Sequence, residues 1–155
     1  MRAGVLTGAT MAVVEPHRVV FVGWGSIARA TVRLLGDAPI EVVAVAKRPE
    51  TPVPPDLPVG AQLLTDPDEL VGLRPDVVVE AAGRDAVGPW GRAALELGAD
   101  LIVSSTSALA DEVLRVELEE LATGHGARVV IHPGALGGVD ALAAAAAMGI
   151  GDVEH

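Results

Sequence analysis

The sequence predicts a doubly wound α/β fold, a parallel sheet covered by helices on both faces. Three observations carry that prediction. Short β-branched runs alternate with longer stretches of helical spacing. The strand candidates are too apolar for a half-exposed sheet and fit parallel strands buried on both sides. The first of them, Val19-Val20-Phe21-Val22, enters the turn Gly23-Trp24-Gly25-Ser26-Ile27-Ala28, which opens a helix-like stretch ending at Leu35. Strand, glycine turn and helix in that order are the setting in which G-x-G-x-x-A reads as a dinucleotide-binding fingerprint. Gly23 permits the tight turn, Gly25 lets backbone approach a diphosphate, and Ala28 keeps the helix close to the sheet. The free N–H groups at the start of the helix, around Ser26 and Ile27, then face the diphosphate with the positive end of the helix dipole.

The remaining elements follow in chain order. Strands are expected over Arg18–Val22, Glu41–Ala46, Asp76–Ala81, Asp100–Ser104 and Arg128–Ile131, with Gln62–Leu64 as a short additional strand. Helices are expected over Ser26–Leu35, Ala86–Leu97 and Ala108–Ala122. In the last, Val113, Leu114, Leu118 and Leu121 form an apolar face, while Glu112, Arg115, Glu119 and Glu120 take the solvated side. Asp66-Pro67-Asp68-Glu69 supplies an N-cap, a first-turn proline and a capping-box glutamate, so a short helix starts there. Residues 49–58 hold five prolines, which rule out a normal crossover helix and predict a surface loop after the second strand. Residues 1–16 read as a disordered extension, 17–148 as the dinucleotide-binding domain, and 149–155 as the start of a carboxyl-terminal substrate domain. Together these describe a Rossmann-like domain without its substrate domain.

Composition narrows the function. At 155 residues the chain is about one domain long, and with 50% apolar but 2% aromatic residues its core must be built from Val, Leu, Ala and Ile. The formal charge of −10 argues against nucleic acid or an anionic membrane as partner. Absence of cysteine removes disulfides, thiolate metal sites and a cysteine nucleophile. The four histidines, His17, His125, His132 and His155, show no ligand spacing, so no metal is expected. No run reaches the roughly 18 apolar residues of a membrane helix. Arg2 and the short apolar stretch after it hint at a signal peptide, but Glu15 and the lack of a cleavage site speak against one, so a cytoplasmic protein is expected. Met11 is a possible alternative start.

In open parallel sheets, ligands gather at the carboxyl ends of the strands. Four loops qualify. The first is Gly23–Ala28. The second is Lys47-Arg48, where an NAD-selective domain often carries an acidic residue; two cations suit a 2′-phosphate and tilt the reading toward NADP, or they are ordinary solvated turn charges. The third, Ala81-Ala82-Gly83, is small enough for a cofactor ribose or nicotinamide to approach, or is simply a strand-to-helix turn. The fourth carries the hydroxyls of Ser105, Thr106 and Ser107, which could meet the nicotinamide carboxamide or cap the following helix. Farther on, Gly134-Ala135-Leu136-Gly137-Gly138-Val139-Asp140 precedes an alanine-rich helix, so exposed N–H groups there could meet a carboxylate or the nicotinamide amide. Asp140 either orients a substrate amine or sits in the helix's first turn. His132 lies near this segment and reads as structural more readily than catalytic.

These segments, in this order, resemble the amino-terminal half of the L-aspartate dehydrogenase family, from about Arg18 to the last residue. The resemblance rests on Gly23-Trp24-Gly25-Ser26-Ile27-Ala28, on Val79-Glu80-Ala81-Ala82, on Val103-Ser104-Ser105 with Ala108-Leu109-Ala110-Asp111, and on Gly134 to Leu142. The last match is the most specific. It implies oxidative deamination of L-aspartate with NAD or NADP, giving iminoaspartate and then oxaloacetate, with a possible link to NAD biosynthesis. The strand-end loops assign cofactor contacts to Gly23, Gly25, Ser26, Ile27, Lys47, Arg48, Ala81, Ala82, Gly83 and Ser105, and the resemblance adds Ala135 at the nicotinamide end. Gly137, Gly138 and Asp140 would meet substrate. A homo-oligomer is expected. Pro133 stands where the family usually has serine, removing a hydroxyl and an N–H. The family's catalytic histidine lies in the carboxyl-terminal domain, so no catalytic residue is assigned within this chain. The alternatives are an oxidoreductase of the homoserine dehydrogenase or dihydrodipicolinate reductase type, or a non-catalytic dinucleotide-binding module.

Overall fold

The computed structural model describes residues 15–132. Six strands form one parallel sheet: β1 (His17–Val22), β2 (Ile40–Ala46), β3 (Gln62–Leu64), β4 (Val77–Glu80), β5 (Asp100–Val103) and β6 (Val129–Ile131). Their spatial order is β3-β2-β1-β4-β5-β6, the doubly wound arrangement in which the strand order reverses between β1 and β4 while every strand stays parallel. In register, Val22 stands beside both Ala46 and Glu80, and Glu80 beside Val103, so four strand ends finish level. The short strand Gln62–Leu64 forms as expected and pairs with Ala44–Ala46.

The helices divide between the two faces. On one side α1 (Ser26–Leu35) packs Ala28 against Val19 and Phe21. On the other, α2 (Arg84–Glu96) and α3 (Glu112–His125) cover Val20, Val22, Val78, Leu101 and Val103, all essentially buried. At roughly 1.5–3 kcal/mol per buried aliphatic side chain, this larger core is the main stabilising element. Gly91 of α2 makes the approach possible, because a Cβ there would stand 2.9 Å from Leu101 Cδ2 and 3.1 Å from Leu118 Cδ2. Arg92 and Glu117 then join α2 to α3 by two parallel hydrogen bonds of 2.6 and 2.7 Å.

Two expectations are corrected. The stretch Ala108–Ala122 is not one helix: a 3-10 helix, Thr106–Ala110, is followed by α3 from Glu112. Asp111 stands between them in an extended conformation (φ −74°, ψ 107°) and accepts N–H bonds from Val113 and Leu114 at 3.0 and 3.3 Å. A carboxylate that can cap a helix start breaks the one before it. Helix α2 begins at Arg84, ahead of Ala86, directly after the Ala81-Ala82-Gly83 loop. The short helix after Asp66 forms as a 3-10 helix, Pro67–Gly72, with Asp66 and Glu69 capping reciprocally. Residues 49–58 contain neither helix nor strand.

Candidate functional site

A cleft of about 820 Å³ opens at the carboxyl ends of β1, β2 and β4, where the strand order reverses. Its floor is set by backbone. Gly23 N–H bonds to Ala46 O at 2.9 Å, and Ala81 N–H to Val22 O at 2.8 Å, so the three loops leave the sheet side by side. Gly23 has φ +92°, and a Cβ on it would stand 2.7 Å from Ala81 O and 2.8 Å from Ala82 Cα. Only glycine meets both demands. Gly25 differs: a Cβ there would meet nothing within 4 Å. Its missing side chain leaves room on the open side of the turn.

The start of α1 lies against this space. Gly25 is its N-cap, no side chain caps it, and no acidic residue sits in its first turn. The first bond onto the turn is Arg29 N–H to Gly25 O at 3.1 Å, leaving the earlier N–H groups for a ligand. The contrast with α3 is physical. There Asp111 consumes the equivalent donors; at α1 an anion could take that place.

Glu80, at the end of β4, holds two of the loops together. It is completely buried and accepts from Ala82 N–H and Gly83 N–H at 2.8 Å each, from Ser105 N–H at 2.9 Å, and from the Ser105 hydroxyl at 3.0 Å. A buried carboxylate is tolerated when its lone pairs are satisfied in this way. It therefore ties the loop after β4 to the loop after β5.

Cations line the cleft beyond β2. Lys47 Nζ donates to the carbonyls of Arg48 and Pro49 at 3.2 Å each. Arg48 points into solvent and lies 3.7 Å from Glu50. From α1, Arg29 reaches across to Asp56 of the proline-rich segment, with Nε 3.0 Å from Oδ2. That Nε is buried and makes no hydrogen bond, because the carboxylate lies off its N–H direction. Asp56 Oδ1 also accepts the Trp24 indole N–H at 3.2 Å.

The cleft thus brings together Gly23, Gly25, Lys47, Arg48 and the Ala81-Ala82-Gly83 loop. Ser26 and Ile27 stand at the exposed start of α1 beside it, outside its lining. Ser105 is also outside the lining; its hydroxyl neither caps the following turn nor faces the cleft, being taken by Glu80. Ala135, Gly137, Gly138 and Asp140 lie outside the described residues. Sequence reasoning missed Glu80, Arg29 and Asp56. Glu80 had a signal: a carboxylate closing an otherwise apolar buried strand, followed by a loop rich in free N–H groups. The Arg29–Asp56 pairing joins residues 27 positions apart and had none.

Among the described residues, no group of three metal-ligating side chains and no helix long and apolar enough to cross a membrane is found.

Comparison with known proteins gives a consistent result. Residues 23–132 match the family described as homoserine dehydrogenase, NAD binding domain. The chain is 46% identical over 139 residues to an L-aspartate dehydrogenase of Brucella anthropi, covering 88% of this chain and 52% of that protein. It is 39% identical over 133 residues to L-aspartate dehydrogenase 2 of Bordetella bronchiseptica, covering 84% and 49%. The chain spans about half the length of the curated relatives it matches. Among solved structures, aspartate dehydrogenase from Thermotoga maritima superposes with a TM-score of 0.62 at 30% identity, covering 83% of this chain and 50% of that one. Homoserine dehydrogenase from S. aureus shares the fold, with a TM-score of 0.61 at 21% identity over 76% of this chain and 33% of that one.

Proposed function

Because residues 23–132 match the homoserine dehydrogenase NAD-binding domain family and the chain belongs to the L-aspartate dehydrogenase family, we propose that its cleft binds NAD or NADP. We propose further that it serves the oxidative deamination of L-aspartate to iminoaspartate and oxaloacetate. The observation that carries the reading is the uncapped start of α1, facing an open glycine turn where the strand order reverses. When bound, the dinucleotide supplies the hydride-accepting chemistry.

The chain's own residues bind and orient. The N–H groups of Gly25, Ser26 and Ile27 hold the diphosphate, aided by the dipole of α1. Lys47 and Arg48 add only a water-screened positive field on this side of the cleft, which favours a 2′-phosphate without gripping it, and NADP binds more tightly than NAD. Ala81, Ala82 and Gly83 present small side chains and backbone to the nicotinamide half, and Glu80 fixes their position. Ser105 acts through that same carboxylate. Ala135 is assigned to the nicotinamide end, and Gly137, Gly138 and Asp140 to the amino-acid substrate. The same reading places the protein in the cytoplasm, serving NAD biosynthesis. It also includes self-association into a homo-oligomer; a monomer in sedimentation equilibrium contradicts that part.

Calorimetric titration with NADP and with NAD tests the core of the proposal. Saturable binding of either is expected, and failure of both to bind overturns it. Aspartate-dependent reduction of the bound dinucleotide by the full protein tests the substrate.

A further inference from the structure

Among the described residues, four cations line the cleft. Arg84 stands at the start of α2, while Lys47, Arg48 and Arg29 lie on the side of β2 and α1, and the states of these three differ. Lys47 has spent two of its three donors on the carbonyls of Arg48 and Pro49. Arg48 is 84% exposed, and its contact with Glu50 is long, so its charge is largely screened by water. Arg29 is only 35% exposed, with a buried Nε–H that no acceptor engages. It is the less exposed of the two guanidinium groups, held beside a carboxylate in a geometry that leaves its buried Nε–H unused.

We propose that Arg29 makes the direct contact with a 2′-phosphate on the adenosine ribose. Asp56 is its built-in rival, so the Arg29–Asp56 pair sets the choice between NADP and NAD. This rests on the dinucleotide reading above. A phosphate offers three acceptor oxygens and satisfies the planar guanidinium bidentately, which the off-axis Asp56 carboxylate does not. When the phosphate takes Arg29, Asp56 keeps its bond from the Trp24 indole at 3.2 Å, and the proline-rich segment stays fastened over the glycine turn. A neutral 2′-hydroxyl offers no charge to draw Arg29 away, so with NAD the pair persists. Asp56 also repels the phosphate directly. Removing its charge therefore favours NADP, and removing Arg29 disfavours it.

The test is titration of the full chain with NADP and NAD, comparing the wild type with Asp56→Asn, Arg29→Gln and Lys47→Gln. The readout is the ratio of the two dissociation constants, because any loosening of the proline-rich segment acts on both ligands and cancels. Asp56→Asn is expected to shift the ratio about tenfold toward NADP and Arg29→Gln about tenfold toward NAD, while Lys47→Gln moves it less than about threefold. Adenosine 2′,5′-bisphosphate against 5′-AMP should reproduce the pattern. A ratio unmoved by Arg29→Gln overturns the proposal, as does a tenfold loss from Lys47→Gln alone. If the wild type binds neither dinucleotide, the dinucleotide reading itself falls and this proposal with it. Wild-type binding with an unmoved ratio refutes only the role of the pair.

Discussion

Replacing Glu80 by glutamine keeps the shape of the side chain and changes what it can accept. Oε1 receives three donors, from Ala82, Gly83 and the Ser105 hydroxyl, and Oε2 receives the Ser105 N–H at 2.9 Å. The best orientation of a glutamine keeps its oxygen at the three-donor site. Its NH2 then points at the Ser105 N–H, two donors facing each other where the side chain is completely buried. One charge-assisted bond, worth roughly 1.5–3 kcal/mol, becomes an unsatisfied contact, and the other three lose the benefit of the charge. A destabilisation of about 2–4 kcal/mol is expected for Glu80→Gln, a large part of the 5–15 kcal/mol typical of a domain. Ser105→Ala removes only the hydroxyl bond and should cost about 1 kcal/mol. Urea unfolding monitored through Trp24 and Trp90 measures both, with a midpoint shift of order 1–2 M for Glu80→Gln at an unchanged slope. Dinucleotide affinity should fall with it, since Glu80 sets the Ala82–Gly83 backbone. A glutamine variant within 0.5 kcal/mol of wild type, on the ordinary ±0.5 kcal/mol scale of neutral changes, would refute the claim that this carboxylate organises the loops.

The two fingerprint glycines should separate stability from binding. Gly23→Ala combines a left-handed φ of +92° with a Cβ 2.7 Å from Ala81 O, and should cost about 2–5 kcal/mol in thermal or urea unfolding. Gly25→Ala has open space around it, so stability should stay within about 0.5 kcal/mol while calorimetry shows at least about a tenfold loss of dinucleotide affinity. Acid sensitivity has named sources. Thr65 and Asp66 N–H groups hold the Glu69 carboxyl below its usual range, Arg128 does the same for Asp100, and Arg92 for Glu117. Each is depressed in the folded state, so its contribution is full above the ordinary carboxylate value of about 4 and is lost as pH falls through the folded value. Stability measured by urea titration should therefore be flat above about pH 5 and decline below about pH 4. Asp100→Asn should flatten that decline, and an unchanged acid slope in this variant would contradict the assignment.

The strand and helix pattern was legible because it follows local rules. Val77-Val78-Val79 and Leu101-Ile102-Val103 are apolar on both faces, which only a doubly covered parallel sheet accommodates. The Asp66 capping box and the five prolines after residue 48 act on the backbone within a few residues. The helix split at Asp111 was misread for the complementary reason: its apolar periodicity runs on from Ala108, but the carboxylate's competition for the next N–H groups is decided by geometry at one residue. In the cleft, Gly23, Gly25, Lys47, Arg48 and the Ala81–Gly83 loop were found because strand ends in such a sheet converge on the switch point whatever the details.

What the sequence determined alone, then, is the order of elements and the edge of the sheet at which the cleft opens, since periodicity and glycine placement are properties of neighbouring residues. What only the tertiary structure decided is how charges at that edge are already spent. Ser105 is committed to Glu80, Lys47 to its own loop carbonyls, and Arg29 to Asp56 from the far side of the cleft. These pairings join residues 25, 1 and 27 positions apart. Two of the three depend on distant loops arriving at one place, a long-range consequence of burying the sheet that no local pattern encodes.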